Sequence, residues 1–174
     1  MFGCEHEGVV PDIMYMAKAL GAGLSIGATV ARAEVADWEA GAHSNSFGGN
    51  PVMCAASLAG IEVLMDEGLS ENAARVGDYT LKRLGEMKEE HRIVGDVRGR
   101  GLMIGVEFVK DKDTKERFLR VSDILVNAHR KGLILLPCGV NCIRVVPPLI
   151  ITREQMDKGL DILEQSVSEV EKRL

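Results

Sequence analysis

Three short segments carry residue types whose spacing suits chemistry. The first is Pro11-Asp12-Ile13-Met14-Tyr15-Met16-Ala17-Lys18-Ala19-Leu20-Gly21-Ala22-Gly23, in which a lysine stands among apolar residues just before a glycine-rich bend. Burial disfavours the ammonium form, and a neutral amine attacks carbonyl carbon. The same pattern suits a lysine that ends an amphipathic segment and carries its charge out to water along its aliphatic stem. Local pattern leaves both readings of Lys18 open. Gly21, Gly23 and Gly27 miss the G-x-G-x-x-G dinucleotide spacing by one residue, and no strand of a βαβ unit precedes them.

The second segment, His43-Ser44-Asn45-Ser46-Phe47-Gly48-Gly49-Asn50-Pro51, leads two hydroxyls and two glycines into a helix start. Unpaired N–H groups at the positive end of a helix hold phosphate well. The alternative is a glycine turn whose Ser and Asn side chains cap the helix. The third segment is Ile143-Arg144-Val145-Val146-Pro147-Pro148, where an arginine interrupts an apolar strand and points opposite to Ile143 and Val145. A guanidinium fixed on a strand clamps a carboxylate through paired N–H groups. An edge-strand arginine paired with a surface acid fits the pattern equally well. Cys138 and Cys142 have no second cysteine pair, and His6, His43, His91 and His129 are scattered without H-E-x-x-H, so no metal site is expected. No G-x-S-x-G is present, and Arg98-Gly99-Arg100 reads as a small basic spot on a solvated turn.

The elements that must position these residues are set by periodicity and capping. Asn50 is a good N-cap and Pro51 suits the first helical position. The helix they open carries Ala55, Ala56, Ala59 and Gly60, small enough for another backbone to approach, and should end near Gly68. A more polar helix from about residue 71 to 90 places Ala73, Val76, Leu84 and Met87 on one stripe. In the strand from 101 to 110, Leu102, Ile104, Val106 and Phe108 alternate with Gly101, Met103, Gly105 and Glu107. Asp113 and Glu116 resemble a capping box for a helix with Phe118, Val121, Leu125 and Ala128, stopped by Gly132. Apolar runs at 133–136 and 142–146 flank Pro137-Cys138-Gly139-Val140-Asn141 and read as paired strands. Thr152 and Gln155 cap a last helix with Met156, Leu160, Leu163, Val167 and Val170 at helical spacing. Residues 69–174 therefore read as an α-β-α-β-β-α lobe. Residues 1–68, with one strand pair and one long helix, are too little to close a core alone.

Composition bounds the class. With 46% apolar and 27% charged residues and a mean hydropathy of +0.04, the chain is globular and neither disordered nor fibrous. A net charge of -5, no Lys/Arg-rich run and 4% aromatics argue against nucleic acid as a partner. Every apolar run is interrupted before it could span a membrane, and the start lacks a basic n-region, so the expected location is the cytoplasm with its four cysteines reduced.

These segments, in this order, resemble the class III pyridoxal-phosphate-dependent aminotransferases, the group of 4-aminobutyrate and ornithine aminotransferases. Phe2 to Ile13 resembles the approach to that family's cofactor lysine, and Ala17-Lys18-Ala19-Leu20-Gly21-Ala22-Gly23-Leu24 its lysine motif. His43 to Pro51 is similar to its phosphate-loop segment, Arg98 to Glu107 to a small-domain strand, and Arg144 to Ile150 to its carboxylate-arginine strand. The resemblance implies a fragment of the PLP-dependent transferase fold (type I, aspartate aminotransferase-like): an α/β chain with a remnant of the large domain over 1–68 and the small C-terminal α/β domain over 69–174. It implies pyridoxal 5'-phosphate as cofactor, bound covalently and served in proton transfer by Lys18. Ser46 stands where the family has threonine and would hold the cofactor phosphate of the neighbouring subunit, in a homodimer or higher assembly. Arg144 would bind the substrate carboxylate. The implied reaction moves an amino group from an amino acid, such as 4-aminobutyrate or another ω-amino acid, to a 2-oxo acid.

The resemblance covers only the C-terminal part of a family more than twice this length. The glycine/serine phosphate loop, the ring-stacking aromatic and the aspartate facing the pyridine nitrogen have no counterpart here. The expectation is thus a truncated chain inactive by itself. Two other functions compete: an amino-acid racemase of the same family, and a non-catalytic assembly piece whose residues 1–68 expose apolar surface and self-associate.

Overall fold

A computed structural model describes residues 1–174, which divide into two compact units, Met1–Ser70 and Glu71–Leu174. In the first, β1 (Ile13–Met16) pairs antiparallel with β2 (Ala28–Ala31), Met16 facing Ala28 and Ile13 facing Ala31. A single 3-10 turn, Lys18–Gly21, comes directly after β1. The helix α1 (Pro51–Asp66) starts where Asn50 Oδ1 accepts from the Val52 and Met53 N–H groups, with proline in the first turn. Its small residues serve as expected: a Cβ on Gly60 would lie 3.0 Å from that of Ala22, so α1 closes on the turn that begins at Lys18. Only Gly21 and Ser57 of this unit are buried.

The second unit is built from α2 (Leu69–Glu90, whose first two residues belong to the first unit), β3 (Val94–Arg100), β4 (Met103–Phe108), α3 (Val121–Arg130), β5 (Leu136–Cys138), β6 (Cys142–Val145) and α4 (Arg153–Glu171). The strands form one antiparallel sheet in the order β3-β4-β6-β5. The period-2 alternation decides its faces. Ile104, Val106 and Phe108 of β4 and Ile143 and Val145 of β6 join Val76, Leu84 and Met87 of α2, Ile124 of α3 and Met156, Leu160, Leu163 and Val167 of α4 in one core. Thr152 and Gln155 make the full capping box of α4. Arg83 ties α2 to α4 by donating to Asp157 at 3.0 Å and Asp161 at 3.1 Å. Glu171 binds both the Ile93 N–H and the buried His91, which fastens the end of α4 to the start of β3.

Four expectations are corrected. The order is α-β-β-α-β-β-α, since β3 precedes the strand read at 101–110; its two inner glycines and a register shift between Val94 and Asp96 erase the apolar alternation. Arg98-Gly99-Arg100 is accordingly strand, not turn. Asp113 and Glu116 do not cap α3, which begins after Arg120 with no side-chain cap. Asp111 instead accepts from the Asp113 and Thr114 N–H groups, and Phe118 is buried ahead of the helix. Leu133 to Leu135 lie outside the edge strand, which starts at Leu136.

Gly77 sits in α2 where a Cβ would fall 2.2 Å from the Gly101 carbonyl oxygen, whereas nothing stands within 4 Å of one at Gly85. Gly77→Ala is therefore expected to lower the unfolding free energy by about 1–3 kcal/mol through overpacking. Gly85→Ala should raise it by roughly 0.5–1 kcal/mol, since only helix propensity changes. Urea denaturation of both variants checks the contrast, and equal effects would refute it.

Candidate functional site

Lys18 stands at the end of β1, two residues past Met16, its last paired position. Its backbone is left-handed, with φ 57°, and Ala22 at the other end of the turn has φ 48°. A residue bearing a Cβ costs about 1–2 kcal/mol in that region, so the turn is held there by its surroundings: the closure of Gly60 on Ala22, and Gly21, buried against Ile26 with a would-be Cβ 3.1 Å from Cγ2. The side chain borders an open concavity of about 580 Å³ lined by Gly23, Leu24, Ser25, Ile26 and Gly27. Contrary to the burial suggested by its apolar neighbours in sequence, Lys18 is exposed. α1 packs on the far end of the turn, at Ala22, and leaves Lys18 itself uncovered, so adjacent apolar residues do not desolvate the amine. Nor does it enter an ion pair or side-chain hydrogen bond.

The segment from His43 to Asn50 is exposed apart from Asn50. Its asparagines use the available donors: Asn45 Oδ1 accepts from Phe47 N–H at 3.0 Å, and Asn50 caps α1. Capping therefore takes the helix-end N–H groups of Val52 and Met53 that the phosphate reading required. The Ser46 hydroxyl, in the turn between the two asparagines, is exposed and unbonded.

Arg144 lies in the second unit on β6, an inner strand between β4 and β5. Its cross-strand neighbours are Gly105 and Leu136. Ile143 and Val145 are buried, so Arg144 stands on the outer face of the sheet, and Gly105 leaves the space beside it clear. The edge-strand, acid-paired alternative does not hold. Its only side-chain hydrogen bond is Nη2 donating to Cys138 Sγ at 3.4 Å, and no carboxylate pairs with it. The acids on this face are committed elsewhere. Arg98 Nη1 donates to Asp96 and to Glu107, each at 2.8 Å. That guanidinium holds both carboxyls below their ordinary values, and they raise its own.

In the sequence Asn141 is only a turn residue. In the fold it is buried, its Nδ2 donates to the Phe108 carbonyl at 2.8 Å, and its own carbonyl accepts from Phe108 N–H at 2.7 Å. It pins the turn before β6 to the end of β4 and so fixes where Arg144 stands. No periodicity or motif signals such a residue.

The donor set suits pyridoxal phosphate in kind: an unpaired primary amine for an aldehyde, an open glycine- and aliphatic-lined wall beside it, and a free hydroxyl for a phosphate oxygen. Glu90, His91 and Glu164 approach one another closely enough to suggest a metal, but His91 is already bonded to Glu171.

The chain matches the family described as aminotransferase class-III over residues 1–167. It is 46% identical over 172 residues to a leucine/methionine racemase of Thermococcus litoralis, covering 98% of this chain and 39% of that protein. It is 41% identical over 170 residues to an acetylornithine aminotransferase of Caldanaerobacter subterraneus, covering 98% of this chain and 41% of that one. Among solved structures it is similar to an amine transaminase from an uncultivated Pseudomonas species in a PLP-bound form, at 35% identity and a TM-score of 0.91, over 97% of this chain and 41% of that one. The chain thus spans about two fifths of the length of such relatives. No helix is long and apolar enough to cross a membrane.

The Arg98 cluster makes a pH prediction. Asp96 and Glu107 titrate lower in the folded chain than their ordinary values of 3.8 and 4.5. Their contribution is fully present above those ordinary values and is lost as pH falls through the lower folded ones. Arg98→Gln should cost roughly 0.2–1 kcal/mol at neutral pH, as befits exposed pairs. Urea midpoints of the two proteins should converge below about pH 4. A gap that persists or widens in acid would contradict this.

Proposed function

From the premise that the chain belongs to the class-III aminotransferases, we propose that it carries the lysine and the carboxylate-binding arginine of an enzyme moving an amino group between an amino acid and a 2-oxo acid. The observation that carries the reading is Lys18 itself: an unpaired amine at a strand end, held in a left-handed turn that no side chain prefers. Backbone strain held at such a lysine by the packing around it is consistent with placement for use.

Pyridoxal phosphate, when bound, supplies an aldehyde that captures amines and a ring that draws electrons from the substrate's amine-bearing carbon. Lys18 would hold that group and, once free of it, would carry the proton from the substrate's amine-bearing carbon across to the cofactor. Ser46 donates its hydroxyl to the phosphate, contributed by a second copy of the chain in a homodimer. Arg144, the strand guanidinium without an acid partner, takes the substrate carboxylate through two parallel N–H donors. An ω-amino acid such as 4-aminobutyrate is the donor class, in keeping with the relative named for acetylornithine. The soluble cell interior is the setting we propose for the chain.

The identity to a leucine/methionine racemase favours a second reading, because racemisation uses the same lysine on the same α-proton. A racemase inverts a single amino acid with no 2-oxo acid present; an aminotransferase releases one.

The test is covalent capture. After incubation with pyridoxal phosphate and borohydride reduction, peptide mapping should find the adduct concentrated on Lys18. In Lys18→Ala the remaining lysines should label no more than before. Adducts spread evenly over the surface lysines would overturn the assignment.

A further inference from the structure

The four cysteines are free, and two of them face each other. Cys138 closes β5 and Cys142 opens β6, and they are direct cross-strand partners at the mouth of the Gly139-Val140-Asn141 turn. Partners in an antiparallel pair have their α-carbons about 4.5–5.5 Å apart, inside the roughly 4.4–6.8 Å that a disulfide spans. As cross-strand partners they also direct their side chains to the same face of the sheet. Both are half-buried, on the outer face that also carries Arg144, away from the apolar core. Cys4, in a 3-10 turn, and Cys54, in α1, have no cysteine across a strand.

We propose that Cys138 and Cys142 form a dithiol site that a small-molecule disulfide, of the class of oxidised glutathione, converts reversibly to an intrachain bridge across the β5–β6 turn.

The two sulfurs are not equivalent. Burial and the nearby Glu107 carboxylate push the Cys142 thiol up, which disfavours it as the first attacking thiolate. Cys138 Sγ has the Arg144 guanidinium at 3.4 Å instead. With Cys142 disfavoured, Cys138 is the first attacker: it bonds to one sulfur of the reagent and its proton passes to solvent. The reagent's S–S bond breaks, one small thiol leaves with a proton, and a mixed disulfide remains on Cys138. Cys142 then gives up its proton and attacks Cys138 Sγ, expelling the second small thiol. Two cysteine thiols are oxidised, one reagent disulfide is reduced to two thiols, and no electron or proton is left over. The ring encloses only residues 138–142, so the bridge removes little chain entropy and has little of the stabilisation that makes structural disulfides resist reduction. It is a bridge suited to opening and closing. Neither its formation nor its test depends on the role proposed for Arg144.

The experiment treats the full chain and its Cys142→Ser variant with oxidised glutathione, blocks remaining thiols, and maps tryptic peptides without reduction. In the unaltered chain the peptide of residues 132–144 should be the main product, lighter by two hydrogens, closed to alkylation and restored by dithiothreitol. In the Cys142→Ser variant the reaction should stop with glutathione held on Cys138. A mixed disulfide that persists in the unaltered chain, reaction at Cys4 or Cys54 equal to that at Cys138, or no reaction at either cysteine would each overturn the proposal.

Discussion

The pairing of β4 with β6 governs the second unit. Its alternation sends Ile104, Val106 and Phe108 from one strand, and Ile143 and Val145 from the other, into a single core with three helices. Burying each such side chain is worth roughly 1.5–3 kcal/mol. A one-residue slip of β6 would turn Ile143 and Val145 to water and bring Arg144 inward. The register is therefore not negotiable, and it leaves Arg144 on the outer face whatever else the chain does. Asn141, bonded twice to the backbone of Phe108, fixes the same register from the end of the strand.

Charge on that outer face is then divided unequally. Asp96 and Glu107 flank Arg98, which takes both. Arg83 is likewise occupied by acids of α4. Arg144, with glycine on one side and leucine on the other, meets a thiol rather than a carboxylate. An exposed ion pair is worth little to folding. The significance of the arrangement is what it keeps available: a rigidly based guanidinium with no carboxylate on it.

The parts of this fold that are legible in the sequence are those where one signal suffices. The alternation of Leu102 to Phe108 survives unbroken, and both helices with an Asn-Pro start or a Thr-x-x-Gln box appear where those caps stand. β3 is not legible because a bulge and two glycines at close contacts replace the apolar side chains that mark a strand. Gly95 and Gly99 are there because a Cβ would strike Val109 or the Met103 carbonyl. The start of α3 is hidden because Asp111, two residues before the supposed box, claims the neighbouring N–H groups in a turn of its own.

For the candidate site the division is similar. Lys18, Ser46 and Arg144 stand out by residue type and setting, yet their surroundings do not. Apolar neighbours along the chain say nothing of whether Lys18 is covered, since burial is decided by what packs across a ribbon. Whether Arg144 has an acid partner depends on Arg98, distant in sequence and adjacent to the same face. The most direct measurement is the rate at which phenylglyoxal labels each arginine, resolved by peptide mapping at neutral pH. If Arg144 has no acid partner, it labels faster than Arg98 and Arg83, and an added amino-acid carboxylate slows its labelling without slowing theirs. Labelling of Arg144 no faster than that of Arg98 would contradict the account.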